Sequence, residues 1–277
     1  MHRFTQVDVF TDKLMLGNPV AVVHDADGLT TQQMADFANW TNLSETTFLS
    51  APTDERADYQ VRIFTTRLEL PFAGHPTLGS AHAWLEAGGR PRNPEMIIQQ
   101  CGAGLVRVRR DGARLAFAAP PLIRGGDVEP NDLTEIIAVL GIDRDLVVDS
   151  QWADNGPGWV ALLLSDAETV LSLHPKTPAA GRFDAIGVIG PYPADSEVDF
   201  EVRAFTPQEG LREDPVTGSL NAALAEWLIG TGRAPDSYIA AQGTAIGRRG
   251  RVQVSKLDGE VWTGGDTVTG VSGTAHI

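Results

Sequence analysis

Val61-Arg62-Ile63-Phe64-Thr65, leading to His75-Pro76-Thr77-Leu78-Gly79-Ser80, is matched half a chain later by Val202-Arg203-Ala204-Phe205-Thr206, leading to Asp214-Pro215-Val216-Thr217-Gly218-Ser219. Two stretches this alike within one chain read as an internal duplication. In each copy an apolar, strand-like run precedes a proline suited to the first turn of a helix, where its missing N–H and fixed φ cost nothing. His75 and Asp214 then occupy equivalent positions, each where a helix begins and presents unpaired N–H groups and positive dipole charge. Two such ends facing one cleft would hold an anion.

Working outward, the likeness continues past these helices. Ile97 to Gln100, Cys101-Gly102 and Val106-Arg107-Val108 have counterparts in Tyr238 to Ala241, Gln242-Gly243 and Val252-Gln253-Val254. Before the first copy, Phe4 to Phe10 alternates as a strand, Gly17-Asn18-Pro19 turns the chain, and Val20 to Val23 reads as a buried strand. Thr30 can cap a helix from Thr31 to about Trp40, after which Asn42-Leu43-Ser44-Glu45 connects into a strand at Thr46 to Leu49. Glu45 thus lies at a loop-to-strand junction. The first repeat helix runs from Pro76 to about Ala87 and stops at Gly88-Gly89, with a hairpin across Gly102-Ala103-Gly104 and a strand at Arg114 to Ala118 beyond it. The second half reads as a helix from Asn131 to Leu140, strands at Trp159 to Leu164 and Glu201 to Phe205, and a helix from Pro215 to about Ile229. Gly79 and Gly218 leave the early helix turns open to a close-packed sheet or a bound ligand.

Strands around one apolar helix per half, with no regular βαβ alternation, give an α+β fold rather than a doubly wound sheet. The expected division is 1–118, joined by a C-terminal strand at 266–277, against 119–265. The 277 residues allow two such halves, and a hydrophobic content of 42% with 29 glycines and 17 prolines is that of a globular chain rich in turns. With 22 basic against 36 acidic residues the net charge is −14, which gives a nucleic acid or an anionic membrane nothing broad to hold. The single cysteine, Cys101, excludes an internal disulfide and a multi-thiolate metal site. The N-terminus has no apolar leader and no run is long enough to span a membrane, so the expected compartment is the cytoplasm.

No phosphate loop, paired CxxC or HExxH is present, and Gly243, Gly247 and Gly250 do not form a dinucleotide turn, so no cofactor and no metal are expected. The remaining chemistry rests on a few side chains. His75 fits a helix-start histidine and equally a proton carrier; Asp214 fits an N-cap and equally its partner across an interdomain cleft. Ser219 suits packing as well as chemistry. Glu45 reads as a loop carboxylate, or, partly buried beside Thr46-Thr47-Phe48-Leu49, as a general acid and base of raised pKa.

Gly17-Asn18-Pro19-Val20-Ala21-Val22-Val23, Asn42-Leu43-Ser44-Glu45-Thr46, Pro71-Phe72-Ala73-Gly74-His75-Pro76-Thr77 and Glu213-Asp214-Pro215-Val216-Thr217-Gly218-Ser219 together resemble the phenazine-biosynthesis isomerase, or PhzF-like, family. Order and spacing agree across essentially the whole chain. The resemblance implies a diaminopimelate-epimerase-like fold: two pseudo-symmetric halves, each a curved or barrel-like sheet around a central helix, with the active site between them. It implies cofactor-independent proton transfer with Glu45 as principal acid and base, and His75, Asp214 and Ser219 as its catalytic partners. Amides near Gly74, His75, Gly218 and Ser219 would bind the substrate carboxylate, with Asn18 and Ser44 completing the binding set. Characterised members isomerise trans-2,3-dihydro-3-hydroxyanthranilate, and homodimers are common. Departures from the family pattern stand at Thr66, Leu220 and Arg249-Gly250; Leu220, where a small residue is usual, would narrow the pocket if it faced the substrate.

A two-thiol epimerase of the same fold is excluded within one chain, because Cys101 is the only thiol and Ala73 and Pro215 stand near the expected cysteine positions. A single-base amino-acid epimerase using Glu45 and a non-catalytic small-carboxylate-binding protein remain as alternatives.

Overall fold

The computed structural model describes residues 1–175, 183, 185–206 and 212–277. The chain divides into two compact units, one of Met1–Ala118 with Gly264–Ile277 and one of Ala119–Thr263. In the first, β1 (His2–Val9) runs antiparallel to β2 (Asn18–Val23). The helix α1 (Thr31–Thr41) then carries the chain to β3 (Glu45–Ser50), which lies parallel to β2. β4 (Tyr59–Phe64) returns antiparallel and takes on the short β5 (Glu69–Leu70). After α2 (Gly74–Glu86), β6 (Met96–Cys101) pairs parallel to β4, and β7 (Gly104–Asp111) and β8 (Arg114–Ala118) follow as a meander.

The second unit begins with α3 (Pro130–Leu140) and β9 (Val147–Trp152), antiparallel to β10 (Trp159–Leu164). From β10 onward it follows the order of pairings that the first unit follows from β2. Across α4 (Ala167–Leu171), β11 (Ala185–Pro191) is parallel to β10; β12 (Phe200–Thr206) is antiparallel to β11 and takes on the short β13 (Arg212–Asp214). Across α5 (Gly218–Gly230), β14 (Ser237–Gln242) is parallel to β12 and antiparallel to β15 (Gly250–Leu257). Each parallel pair needs a crossover, and a helix supplies it each time. β16 (Glu260–Gly265) and β17 (Thr267–Ala275) complete the chain, the latter antiparallel to β1. The fold is α+β.

Local chemistry sets these elements. Thr30 and Gln33 form a capping box, the threonine hydroxyl accepting the Gln33 N–H at 3.2 Å and the Gln33 side chain accepting the Thr30 N–H at 3.0 Å. Asn42 ends α1 in the left-handed region at φ 55°. α2 is buried along its first turns and touches β1, β2, β3, β6, β7, β8 and β17, so the sheet of the first unit curves around it. In the second unit α5 is buried on nearly every side. No described helix is long and apolar enough to cross a membrane.

The repeated Val-Arg-x-Phe string has a structural meaning in both units. Arg62 lies 5.1 Å from the ring centre of Phe64 and bonds both oxygens of Glu69 on β5, at 2.7 and 2.6 Å. Arg203 lies 5.0 Å from that of Phe205 and bonds both oxygens of Glu213 on β13, at 3.0 and 2.8 Å. Each arginine fastens the short strand that leads into the His75 or Asp214 motif.

One expectation is corrected and one open alternative is decided. The repeat helices do not both begin at their prolines: α2 starts two residues before Pro76, whereas α5 starts three residues after Pro215. Leu220 does not face a pocket; it is fully buried, and a Cβ on Gly187 of β11 would stand 2.3 Å from its Cδ1. The strand β11 was not expected at all, because Gly187 and Gly190 break its apolar run. Both glycines make room, the second for the Asp166 carbonyl, 2.3 Å from where its Cβ would be.

Candidate active site

Glu45 is the first residue of β3, directly after the exposed Ser44 and three residues after the left-handed Asn42. Behind it Thr46 is fully buried, its hydroxyl 2.9 Å from that of Thr41, which anchors the strand to the end of α1. α2 brings His75 to this carboxyl group: Nε2 lies 3.3 Å from Glu45 Oε2, with the side chains 5% and 16% exposed. Asn18, the fully buried first residue of β2, places Nδ2 3.4 Å from His75 Nδ1. Gly74 opens the helix beside them. Asn18, Glu45, Gly74 and His75 therefore converge in the first unit, with Ser44 next in the chain and turned to solvent.

Burial lowers the His75 pKa to about 3, against the opposing effect of a hydrogen bond to the Pro19 backbone carbonyl. The imidazole is neutral at physiological pH, so its contact with Glu45 is not an ion pair. Nε2 approaches Glu45 without hydrogen-bond alignment, which leaves Nδ1 as the donor to Pro19 and Nε2 as an acceptor facing the carboxyl group. The longer Asn18 contact offers a donor to Nδ1 in the other tautomer. At the start of α2 the first helical bond is from Thr77 N–H to the Ala73 carbonyl at 3.1 Å. The amides of Gly74 and His75 precede it, and Pro76 has none to offer.

In the second unit Asp214 is the last residue of β13, and Thr217 is the N-cap of α5. This corrects the expectation that Asp214, like His75, stands at a helix start. The reason is Gln242, fully buried on β14. It accepts the Thr217 N–H at 2.9 Å and the Asn221 amide at 2.8 Å, and donates to Thr217 Oγ1 at 2.9 Å and to the Asp214 carbonyl at 3.2 Å. These bonds hold the chain extended through Thr217. The Asp214 carboxylate accepts from the Thr217 hydroxyl at 2.6 Å. Ser219, second residue of α5 after the buried Gly218, accepts from the Trp159 indole N–H at 3.1 Å, while Asn155 donates to its carbonyl at 2.9 Å. The Ser219 O–H remains able to donate.

Gln242, Trp159 and Asn155 escaped the sequence reading, as did Gln99, which is fully buried and donates to Thr77 Oγ1 at 3.0 Å. The available signal was an amide side chain inside an otherwise apolar strand, since such a group must find partners. Among the described residues no group of three or more potential metal ligands converges.

Residues 7–277 match the family model described as phenazine biosynthesis-like protein. The chain is 38% identical over 298 residues to "Antisense-enhancing sequence 1" of Schizosaccharomyces pombe, covering 100% of this chain and 99% of that one. It is 32% identical over 257 residues to the trans-2,3-dihydro-3-hydroxyanthranilate isomerase of Pseudomonas aeruginosa, covering 91% and 89%. The crystal structure of the Bacillus anthracis phenazine biosynthesis protein of the PhzF family superposes with a TM-score of 0.85 at 22% identity, covering 100% and 99%; at that identity the likeness is one of fold. Motifs, fold and relatives agree: the chain belongs to the phenazine biosynthesis-like, PhzF family and is an isomerase.

Proposed function

We infer that the protein moves a double bond in a small cyclic or unsaturated carboxylic acid of the trans-2,3-dihydro-3-hydroxyanthranilate type, by acid–base proton transfer at Glu45. The observation that carries this reading is the buried contact between Glu45 and a neutral His75. A permanently charged imidazolium would hold the carboxylate ionised; a neutral ring, its Nε2 facing the carboxyl group, lets Glu45 exist as acid and as base in turn. Glu45 gives a proton to one carbon and takes one from another, so the substrate gains and loses one proton and Glu45 returns to its starting state. The Gly74 and His75 amides are suited to the substrate carboxylate, with Asn18 and Ser44 beside the pair. We assign Asp214, Ser219 and the Gly218 amide the corresponding polar tasks in the second unit. A cytoplasmic homodimer without cofactor or metal, and without nucleic-acid or membrane partner, completes the reading.

Proton NMR of trans-2,3-dihydro-3-hydroxyanthranilate in D₂O tests it. The expected outcome is substrate loss with deuterium entering at a ring carbon, reduced by about 10³-fold or more in Glu45→Gln, whose amide cannot exchange protons with carbon. Full turnover by Glu45→Gln would remove Glu45 from the chemistry. No turnover by the wild-type protein would reject this substrate.

A further inference from the structure

Asp8 lies on β1 between fully buried Val7 and Val9 and is itself 5% exposed. A carboxylate placed there loses its water and must be offset by donors. Its Oδ2 accepts two backbone N–H groups, from Leu16 at 3.0 Å and Gly17 at 3.2 Å. The loop it grips contains two non-glycine residues in the left-handed region, Phe10 at φ 65° and Met15 at φ 69°, a conformation such residues do not hold unaided. Gly17 is pressed against the strand: a Cβ would stand 2.2 Å from the Val9 carbonyl oxygen, 2.7 Å from Thr11 Cγ2 and 2.9 Å from Asp8 Oδ1. The next two residues are Asn18 and Pro19, paired in register with Val9 and Asp8. They are the two that meet His75, one through its amide and the other through its carbonyl.

We propose that Asp8 is a positioning residue for the acid–base pair, its carboxylate fixing the 16–17 turn so that Pro19, with Asn18 beside it, holds the His75 ring with Nε2 toward Glu45. The proposal rests on the reading of Glu45 and His75 as the reacting pair. Two donors converging on one charged oxygen give a stronger clamp than an amide could. A reacting group displaced by about 1 Å can lose on the order of 10²-fold in rate, so a turn this close to the pair has leverage on catalysis without touching the substrate.

The test compares wild type, Asp8→Asn and Asp8→Leu by two readouts. The first, on unliganded ¹⁵N-labelled protein, is solvent exchange of the His75 ring N–H. The second is kcat and KM for deuterium entry into trans-2,3-dihydro-3-hydroxyanthranilate. Asp8→Leu is expected to speed ring N–H exchange and lower kcat by about tenfold or more each, with KM within about twofold, and Asp8→Asn, which keeps one acceptor oxygen, to fall between. Wild-type exchange and kcat in a folded Asp8→Leu protein would overturn the proposal. So would a lowered kcat with the ring N–H unchanged, because the effect would then not pass through His75. If Asp8→Leu does not fold, Asp8→Asn decides by the same two readouts, a change in both supporting the proposal and wild-type values overturning it. Should the wild-type protein leave the substrate untouched, the substrate reading fails while the ring N–H still decides the role of Asp8.

Discussion

Gly79 has no room for a side chain. A Cβ there would stand 2.3 Å from Val20 Cγ1 and 3.1 Å from Val9 Cγ2, so this small residue exists to let α2 lie on the sheet rather than to admit a ligand. Gly79→Ala must displace Val20, the residue opposite Glu45 in the β2–β3 register. The expected cost is ~1–3 kcal/mol of stability by urea denaturation, as for other overpacked interiors. A gain in stability, of the kind alanine brings to exposed helix positions, would mean that helix and sheet are not in this contact. Leu220, read against the family pattern as a possible pocket residue, makes the same point in the second unit: its neighbour Gly187 was shaped to receive it.

The paired arginine clasps separate two elements that look alike in sequence. Arg203 and Glu213 are 7% and 11% exposed, and Arg203 also donates to the Val170 and Leu173 carbonyls at 3.1 and 2.8 Å. Arg62 and Glu69 are 27% and 38% exposed. Removing Arg203 strands a buried carboxylate and takes the donor from the Leu173 carbonyl, whereas removing Arg62 leaves groups that water can reach. Arg203→Leu is therefore expected to cost ~3–5 kcal/mol and Arg62→Leu ~1 kcal/mol or less, measured by the same denaturation assay. Equal losses would show that burial does not govern the difference. The string Val-Arg-x-Phe was legible as a repeat, but nothing in either copy announced which clasp would be sealed from solvent.

For the molecule as a whole, buried histidines contribute to the response to acid. Burial lowers the His75 pKa to about 3, and it also lowers those of His24 and His82. Unfolding frees each to bind a proton near pH 6.5, so between about pH 3 and 6.5 the unfolded chain holds more protons at His75 and stability falls as pH falls. One such proton contributes at most ~1.4 kcal/mol per pH unit. His75→Asn should flatten the stability curve over that window by about this slope, read by urea denaturation at several pH values; an unchanged slope would mean that His75 is charged in the folded state. The carboxylates Asp54 and Asp166, held below their usual range chiefly by hydrogen bonds from Arg56 and from the Thr169 N–H, lose their contributions in acid too but are common to both proteins and cancel. The sequence by itself determined the α+β class, the family and the position of most strands and helices. Periodicity, caps and short motifs are written within a few residues of where they act, as at Thr30 or in the run from Trp159 to Leu164. Only the tertiary structure decided that α2 begins at Gly74 while α5 waits until Gly218, that β11 is a strand despite its glycines, and that His75 is neutral. The first two depend on a partner distant in the chain, Gln242 for Thr217 and Leu220 for Gly187, and the third on the exclusion of water that folding alone produces.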